Sequence, residues 1–207
     1  MRWMGPVTAA VVVTGAVAAT LTIPTAAAVR VGQPAPDFTA RTSTGQTVRL
    51  GDYRGRIVVL EWANHECPFV VKHYQSGNMQ KLQQEAKAKG VVWLSIVSSA
   101  PGQQGFVTAE QANAILKERK ASPTAVLLDP EGTIGRLYGA RTTPHMFVID
   151  RAGILQYMGA IDDAPGLNQD PTKANNYVRA ALQQLMAGQK VTTPTTQPYG
   201  CSVKYRP

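Results

Sequence analysis

Two continuous apolar runs separated by one helical stretch constrain this chain most. Arg56-Ile57-Val58-Val59-Leu60-Glu61-Trp62-Ala63 has an unbroken apolar centre, and so does Val91-Val92-Trp93-Leu94-Ser95-Ile96-Val97. Runs of this length without alternation suit strands buried on both faces, which is the position of strands in a parallel sheet. Between them Pro68 opens a segment in which Phe69, Val70, Tyr74, Met79 and Leu82 recur at helical spacing, Gly77 threatens a break, and Gly90 closes it. Strand, helix, strand is a crossover unit, and it commits the chain to an α/β layout.

The flanking segments extend that layout. Gln46-Thr47-Val48-Arg49-Leu50 alternates, which predicts a half-buried strand in an N-terminal hairpin. Thr108 is a candidate N-cap for a helix reaching about Lys120. Ala125 to Leu128 reads as a short strand and Thr133 to Tyr138 as a short helix. Met146 to Ile149 and Ile154 to Met158 flank Asp150-Arg151-Ala152-Gly153, a hairpin with a glycine in its turn. Asn175 to Met186 is an amphipathic closing helix, followed by a Thr/Pro-rich linker from Thr192 to Pro198 and a tail containing Cys201. The expected organisation is a leader over 1–28, one domain over 29–191 and a linker with tail over 192–207.

The leader follows from its composition. Arg2 is its only charged residue, Val7 to Ile23 is apolar or small, and Ala26-Ala27-Ala28 offers small residues for cleavage. That is the pattern of a secretory signal peptide, and the run is shorter than the ~20 residues a membrane span prefers. The expected product is exported, periplasmic or extracellular, without a stable membrane anchor. The whole chain carries a formal charge of +8. Its basic residues are scattered and no nucleic-acid-binding signature is present, so nucleic acid is not expected as a partner. Export makes a lasting disulfide feasible, and two cysteines allow one intramolecular pairing, Cys67 with Cys201.

Cys67 stands where the first buried strand hands over to the helix, within Asn64-His65-Glu66-Cys67-Pro68-Phe69. Unpaired N–H groups and the dipole at a helix start stabilise a thiolate, and Pro68 suits the first helical turn. Glu66 acts the other way, since a neighbouring carboxylate disfavours a second anion. The competing reading is an inert core cysteine.

Trp62-Ala63 followed by a cysteine and a proline resembles the active-site turn of thioredoxins. Thr142-Thr143-Pro144-His145, directly before an apolar strand, resembles the second landmark of that fold, in which the proline is cis, faces the cysteine, and sits beside a backbone edge that pairs with substrate. Val31-Gly32-Gln33-Pro34-Ala35-Pro36-Asp37-Phe38 resembles the opening of redoxins of the peroxiredoxin and thiol-specific-antioxidant branch. Cys67-Pro68-Phe69-Val70 with Lys72-His73, the Asp162-Asp163 pair and the Gly200-Cys201-Ser202-Val203-Lys204 ending are similar to a peroxiredoxin-like group of exported redoxins. The resemblance implies a thioredoxin-like fold with a central mixed sheet, a nucleophilic Cys67, Pro144 facing it, and Thr143, Pro68 and Trp62 at the substrate. It implies a disulfide or thiol as partner; no cofactor is expected, and no metal, because a fourth ligand beside His65, Cys67 and His73 is not evident.

The departures are equally specific. Val70 stands where a local resolving cysteine would be, so resolution of a mixed disulfide would fall to Cys201. Asn64 replaces the Thr or Ser of a peroxidatic site, and Pro144 stands where its arginine falls. Three functions remain open: thiol–disulfide oxidoreductase, thiol peroxidase, and a non-enzymatic binding module stapled by its disulfide. The staple alone would contribute ~4–5 kcal/mol in the chain-entropy model. His65 and His73 are expected as a loop residue and a helix-surface residue rather than metal ligands, and Asp162-Asp163 as a charged loop.

Overall fold

The computed structural model describes residues 29–206, with Met1 and Trp3. The expected leader, 1–28, lies otherwise outside the described residues.

The buried runs become β3 (Val58–Trp62) and β4 (Val92–Val97), paired in parallel with Leu60 opposite Leu94. Every residue of β3 is buried, as a central strand requires. β5 (Ala125–Leu128) continues the parallel pairing on β4. On the other side β7 (His145–Ile149) runs antiparallel to β3, and β8 (Leu155–Gly159) closes the hairpin on β7. The N-terminal hairpin, β1 (Thr39–Thr42) and β2 (Thr47–Arg49), joins beyond β5. One seven-stranded sheet results, in the order β2-β1-β5-β4-β3-β7-β8.

Helices cover both faces. The crossover splits into α1 (Pro68–Gln75) and α2 (Asn78–Ala88) at Gly77, whose φ of 74° ends one helix and starts the next. With α5 (Tyr177–Met186) they bury Val59, Trp93, Val148 and Tyr157 on one face. α4 (Thr133–Tyr138) packs on the opposite face over Leu60, Trp62, Leu94 and Phe147. α3 (Ala109–Glu118) starts at Thr108 with a full capping box through Gln111, as its sequence predicts, and packs on a smaller cluster with Val107 and Val126. This is the expected thioredoxin-like architecture with an N-terminal β extension. Among the described residues no helix is long and apolar enough to cross a membrane.

The C-terminal residues are part of the packed structure. The stretch from Thr192 to Pro198 is held along the β8 edge, where Thr195 bridges Met158 and the Met158 N–H donates to Pro194 O. The chain then crosses the end of the sheet as β9 (Cys201–Ser202), antiparallel to the short β6 (Thr142–Thr143). It ends against α4, where the Tyr205 hydroxyl donates to Ala140 O.

Candidate active site

Cys67 is the N-cap of α1, and the Val70 and Val71 N–H groups donate to its carbonyl. Pro68 follows at the exposed first helical position. The Thr143–Pro144 peptide is cis, as its position before β7 predicts. β6 therefore presents Thr143 to the cysteine: the Cys67 thiol sulfur lies 3.0 Å from Thr143 O. Opposite Thr143 in the β6–β9 register stands Cys201, whose sulfur is 2.7 Å from that of Cys67. The fold thus brings together Cys67, Cys201, Thr143 and Pro144 from three separate segments. Both cysteines are free thiols; Cys67 is buried and Cys201 half-buried.

The two thiols are polarised in opposite directions. Burial pushes the Cys67 thiol up, but hydrogen bonding with Cys201 and Thr143, and from backbone N–H groups, more than offsets it, so its pKa falls below the ordinary value. Cys201 is pushed up to about 11 by burial first, then by its hydrogen bond and charge repulsion with Cys67. The two thiols titrate as a coupled pair in which Cys67 gives up its proton before Cys201 does. Glu66 does not oppose this directly: its carboxylate accepts from the Gly105 N–H, and its own N–H donates to Asn64 Oδ1.

Asn64 is buried in that turn, tying residues 64–67 to the 101–105 loop through Gln104 O. It is committed to backbone and does not offer a hydroxyl above the sulfur as a Thr or Ser would. The side-chain contacts of Cys67 are a carbonyl and a thiol, with no guanidinium bonded to it among the described residues.

Trp62 stands elsewhere. It is fully buried on the α4 face, its Nε1 donates to Ser98 Oγ, and its ring packs on Tyr138 and Phe147. The expectation that it contacts substrate is corrected, because strand alternation turns it away from the face that carries Cys67. His73 is likewise fully buried rather than on the helix surface. Burial drives its pKa down to about 3, so it is neutral. Its Nδ1 faces Asn78 Nδ2 at 3.0 Å and its Nε2 faces the Tyr199 hydroxyl at 3.1 Å. Asp162 is no loop charge either: it is buried, and one of its oxygens accepts from the Tyr199 hydroxyl.

Tyr199 is the residue that sequence reading missed. It sits two positions before Cys201, packs edge-on against Phe69, holds its ring centre 5.2 Å from Lys72 Nζ, and ends on the His73–Asp162 pair. The signal available in sequence was the coincidence of Lys72-His73, the Asp162-Asp163 pair and a tail aromatic. Glu61 was also missed. Alone in an apolar run, it is wholly buried and meets four donors: the Tyr74 hydroxyl, Gln83 Nε2, Trp93 Nε1 and the Ser95 hydroxyl. They lock α1 and α2 onto β3 and β4 below the cysteine.

A thioredoxin-like sheet ending in an asymmetric thiol pair beside a cis-proline defines a redoxin, in the class of thiol–disulfide oxidoreductases and peroxiredoxin-like proteins. The chain belongs to the AhpC/TSA family, whose profile matches residues 31–158. It is 29% identical over 159 residues to a candidate peroxiredoxin of Synechocystis sp., covering 69% of this chain and 74% of that protein. An uncharacterised conserved protein of Geobacillus kaustophilus superposes with a TM-score of 0.74 at 26% identity, covering 86% of this chain and 93% of that one. A hypothetical protein of Sinorhizobium meliloti gives 0.75 at 24% identity, covering 86% and 96%, and so shares the fold.

Proposed function

We propose that the protein is an extracytoplasmic thiol–disulfide oxidoreductase in which Cys67 is the nucleophile and Cys201 the resolving thiol. The observation that carries this reading is the pair of sulfurs 2.7 Å apart with opposite pKa directions. The Cys67 thiolate attacks one sulfur of a substrate disulfide, a new S–S bond forms, and the other sulfur leaves as a thiolate that takes a proton. Cys201 then loses its proton and attacks the Cys67 sulfur. The substrate leaves as a second thiol, and the Cys67–Cys201 disulfide remains for an external dithiol to reduce. The leader over 1–28, with export, and the 29–191 domain with its 192–207 tail complete this reading. Protein and small-molecule disulfides are the substrate class. Thr143 and Pro144 would form the edge on which they lie, with Pro68 at its rim.

The test is the reduction potential of the pair, measured by equilibration with thiol buffers and counting of free thiols. A value between about −120 and −270 mV is expected of an exchanging pair. A value below about −300 mV would mark a structural staple and a binding module instead. Cys67→Ser abolishes turnover of a model disulfide on this reading, and retained turnover would sink it.

The family match favours a second reading, a thiol peroxidase. Asn64 and Pro144, in place of the hydroxyl and guanidinium of such sites, weigh against it. Stoichiometric peroxide decides: oxidation of Cys67 orders of magnitude faster than of an ordinary thiol would put the peroxidase first.

A further inference from the structure

Tyr199-Gly200-Cys201 lies in the groove beside Cys67 as a bound peptide would, bent at Gly200, and each of its three residues has a seat of its own. We propose, resting on the oxidoreductase reading, that this groove selects client polypeptides carrying an aromatic–Gly–Cys segment, which displaces the protein's own tail.

The cysteine seat is set by register. Antiparallel pairing of Thr143 with Cys201 and of Thr142 with Ser202 delivers the ligand cysteine onto the Cys67 sulfur. Added strands bind through the backbone, so this edge accepts any extended chain, and the flanking seats must supply selectivity.

The preceding seat accepts glycine. A Cβ on Gly200 would fall 2.0 Å from Thr143 O and 2.7 Å from its carbonyl carbon, and Gly200 has φ +134°. Thr143 O belongs to the rigid edge itself, so a side chain there cannot be accommodated by rotation of a neighbour.

The next seat is built for a phenol. Phe69 lies edge-on to the Tyr199 ring and Lys72 caps it, while the hydroxyl reaches His73 and Asp162. The His73 and Asp162 side chains are fully buried, and Asp162 Oδ2 has no hydrogen-bond partner. An aliphatic side chain would leave His73 Nε2 unpaired as well and would reduce Asp162 Oδ1 to a single donor, the Ala164 N–H. Beyond the cysteine, Ser202 is exposed, so the following position is free.

The experiment uses the full chain with Cys201→Ser and peptides of sequence Pro-Tyr-Gly-Cys-Ser-Val whose cysteine carries a 2-thiopyridyl disulfide. Cys67 attacks the peptide sulfur, a Cys67–peptide disulfide forms, and 2-thiopyridone leaves with the electron pair, takes a proton and is followed by absorbance. The peptides with Gly→Ala or Tyr→Ala are expected to react about tenfold more slowly or worse. The tail retained in this variant competes equally with all of them, so the ratio is unaffected. Fast and equal reaction of all three would overturn the selectivity while leaving exchange intact. Reaction no faster than that of free cysteine would instead overturn the oxidoreductase reading. Inhibition of wild-type disulfide exchange by the unactivated peptides should follow the same order. Mixing Cys201→Ser chains with Cys67→Ser chains whose Cys201 carries the same 2-thiopyridyl disulfide provides the remaining control, since Cys67 of one chain can then attack the Cys201 sulfur of the other with 2-thiopyridone as the leaving group. A Cys67–Cys201 crosslink between two chains that outpaces the peptide would assign the groove to a second copy and overturn the client assignment.

Discussion

Cys67 and Cys201 differ because each is the other's environment. Cys201 supplies a hydrogen bond that lowers the Cys67 pKa, and Cys67 repels the anion that Cys201 would become. Removing the donor should therefore undo the asymmetry. In Cys201→Ala the alkylation profile of Cys67 against pH should shift to a higher midpoint than in Cys201→Ser, whose hydroxyl can still donate. An unchanged midpoint would mean that the helix start alone sets the thiolate. At this scale the sequence was legible where local context decides. Cys67 before Pro68 at a strand-to-helix junction identifies itself, and so does Pro144 after two threonines. Trp62 was misplaced because a motif says which residues are adjacent in sequence, whereas the pleat of β3 decides which face each reaches. His73 was misplaced because its burial depends on Tyr199, distant along the chain.

Among the elements, β9 has the most particular requirements. It has two residues and one short partner, yet glycines make room for the tail along its whole path. A Cβ on Gly159 would meet Thr196, one on Gly200 would meet Thr143, and one on Gly132 or Gly135 would meet the Tyr205 ring. Gly200→Val should lift β9 from β6. Strain of one to a few kcal/mol at that position corresponds to about a tenfold or larger rise in the open fraction. The readout is the alkylation rate of Cys67, which is buried while the tail is docked. Tyr199→Phe should keep the ring packing but leave His73 Nε2 without its phenol partner and take one of the two donors from Asp162 Oδ1. A loss of about 1–3 kcal/mol is expected in urea unfolding, with a smaller gain in Cys67 alkylation than Gly200→Val gives. The strands and helices of the domain were legible because their periodicity is local. The bound tail was not, since a Thr/Pro-rich stretch reads as a free linker, and its partners lie on β8, β6 and α4.

For the whole molecule, two buried neutral histidines dictate how stability responds to acid. His73 is lowered to about 3 and His145 to about 4, in both cases mainly by burial. As pH falls below 6.5 the unfolded chain protonates at these positions and the native one does not. Stability should then decline by about 1.4 kcal/mol per pH unit for each histidine. Asp162, whose pKa burial raises, has the opposite sign and offsets part of the loss near its own titration. The slope is therefore best measured by urea unfolding between pH 6.5 and about 5, where His73→Gln should roughly halve it. A flat profile would mean that these histidines are charged in the native state. The α/β class and the hairpin at β7–β8 followed from patterning, whereas the strand order and this acid response depend on pairing and burial that no single segment encodes.

The separation of the two cysteines along the chain, 134 positions, also has a consequence in time. At about 5–20 residues per second, a ribosome adds Cys201 roughly 7–27 s after Cys67. Throughout that interval the helix-start thiol has neither its coupled partner nor the strap that buries it. A growing chain is thus exposed to stray oxidants and foreign disulfides until the Cys201 segment joins it, and the docking of that segment brings the exposure to an end.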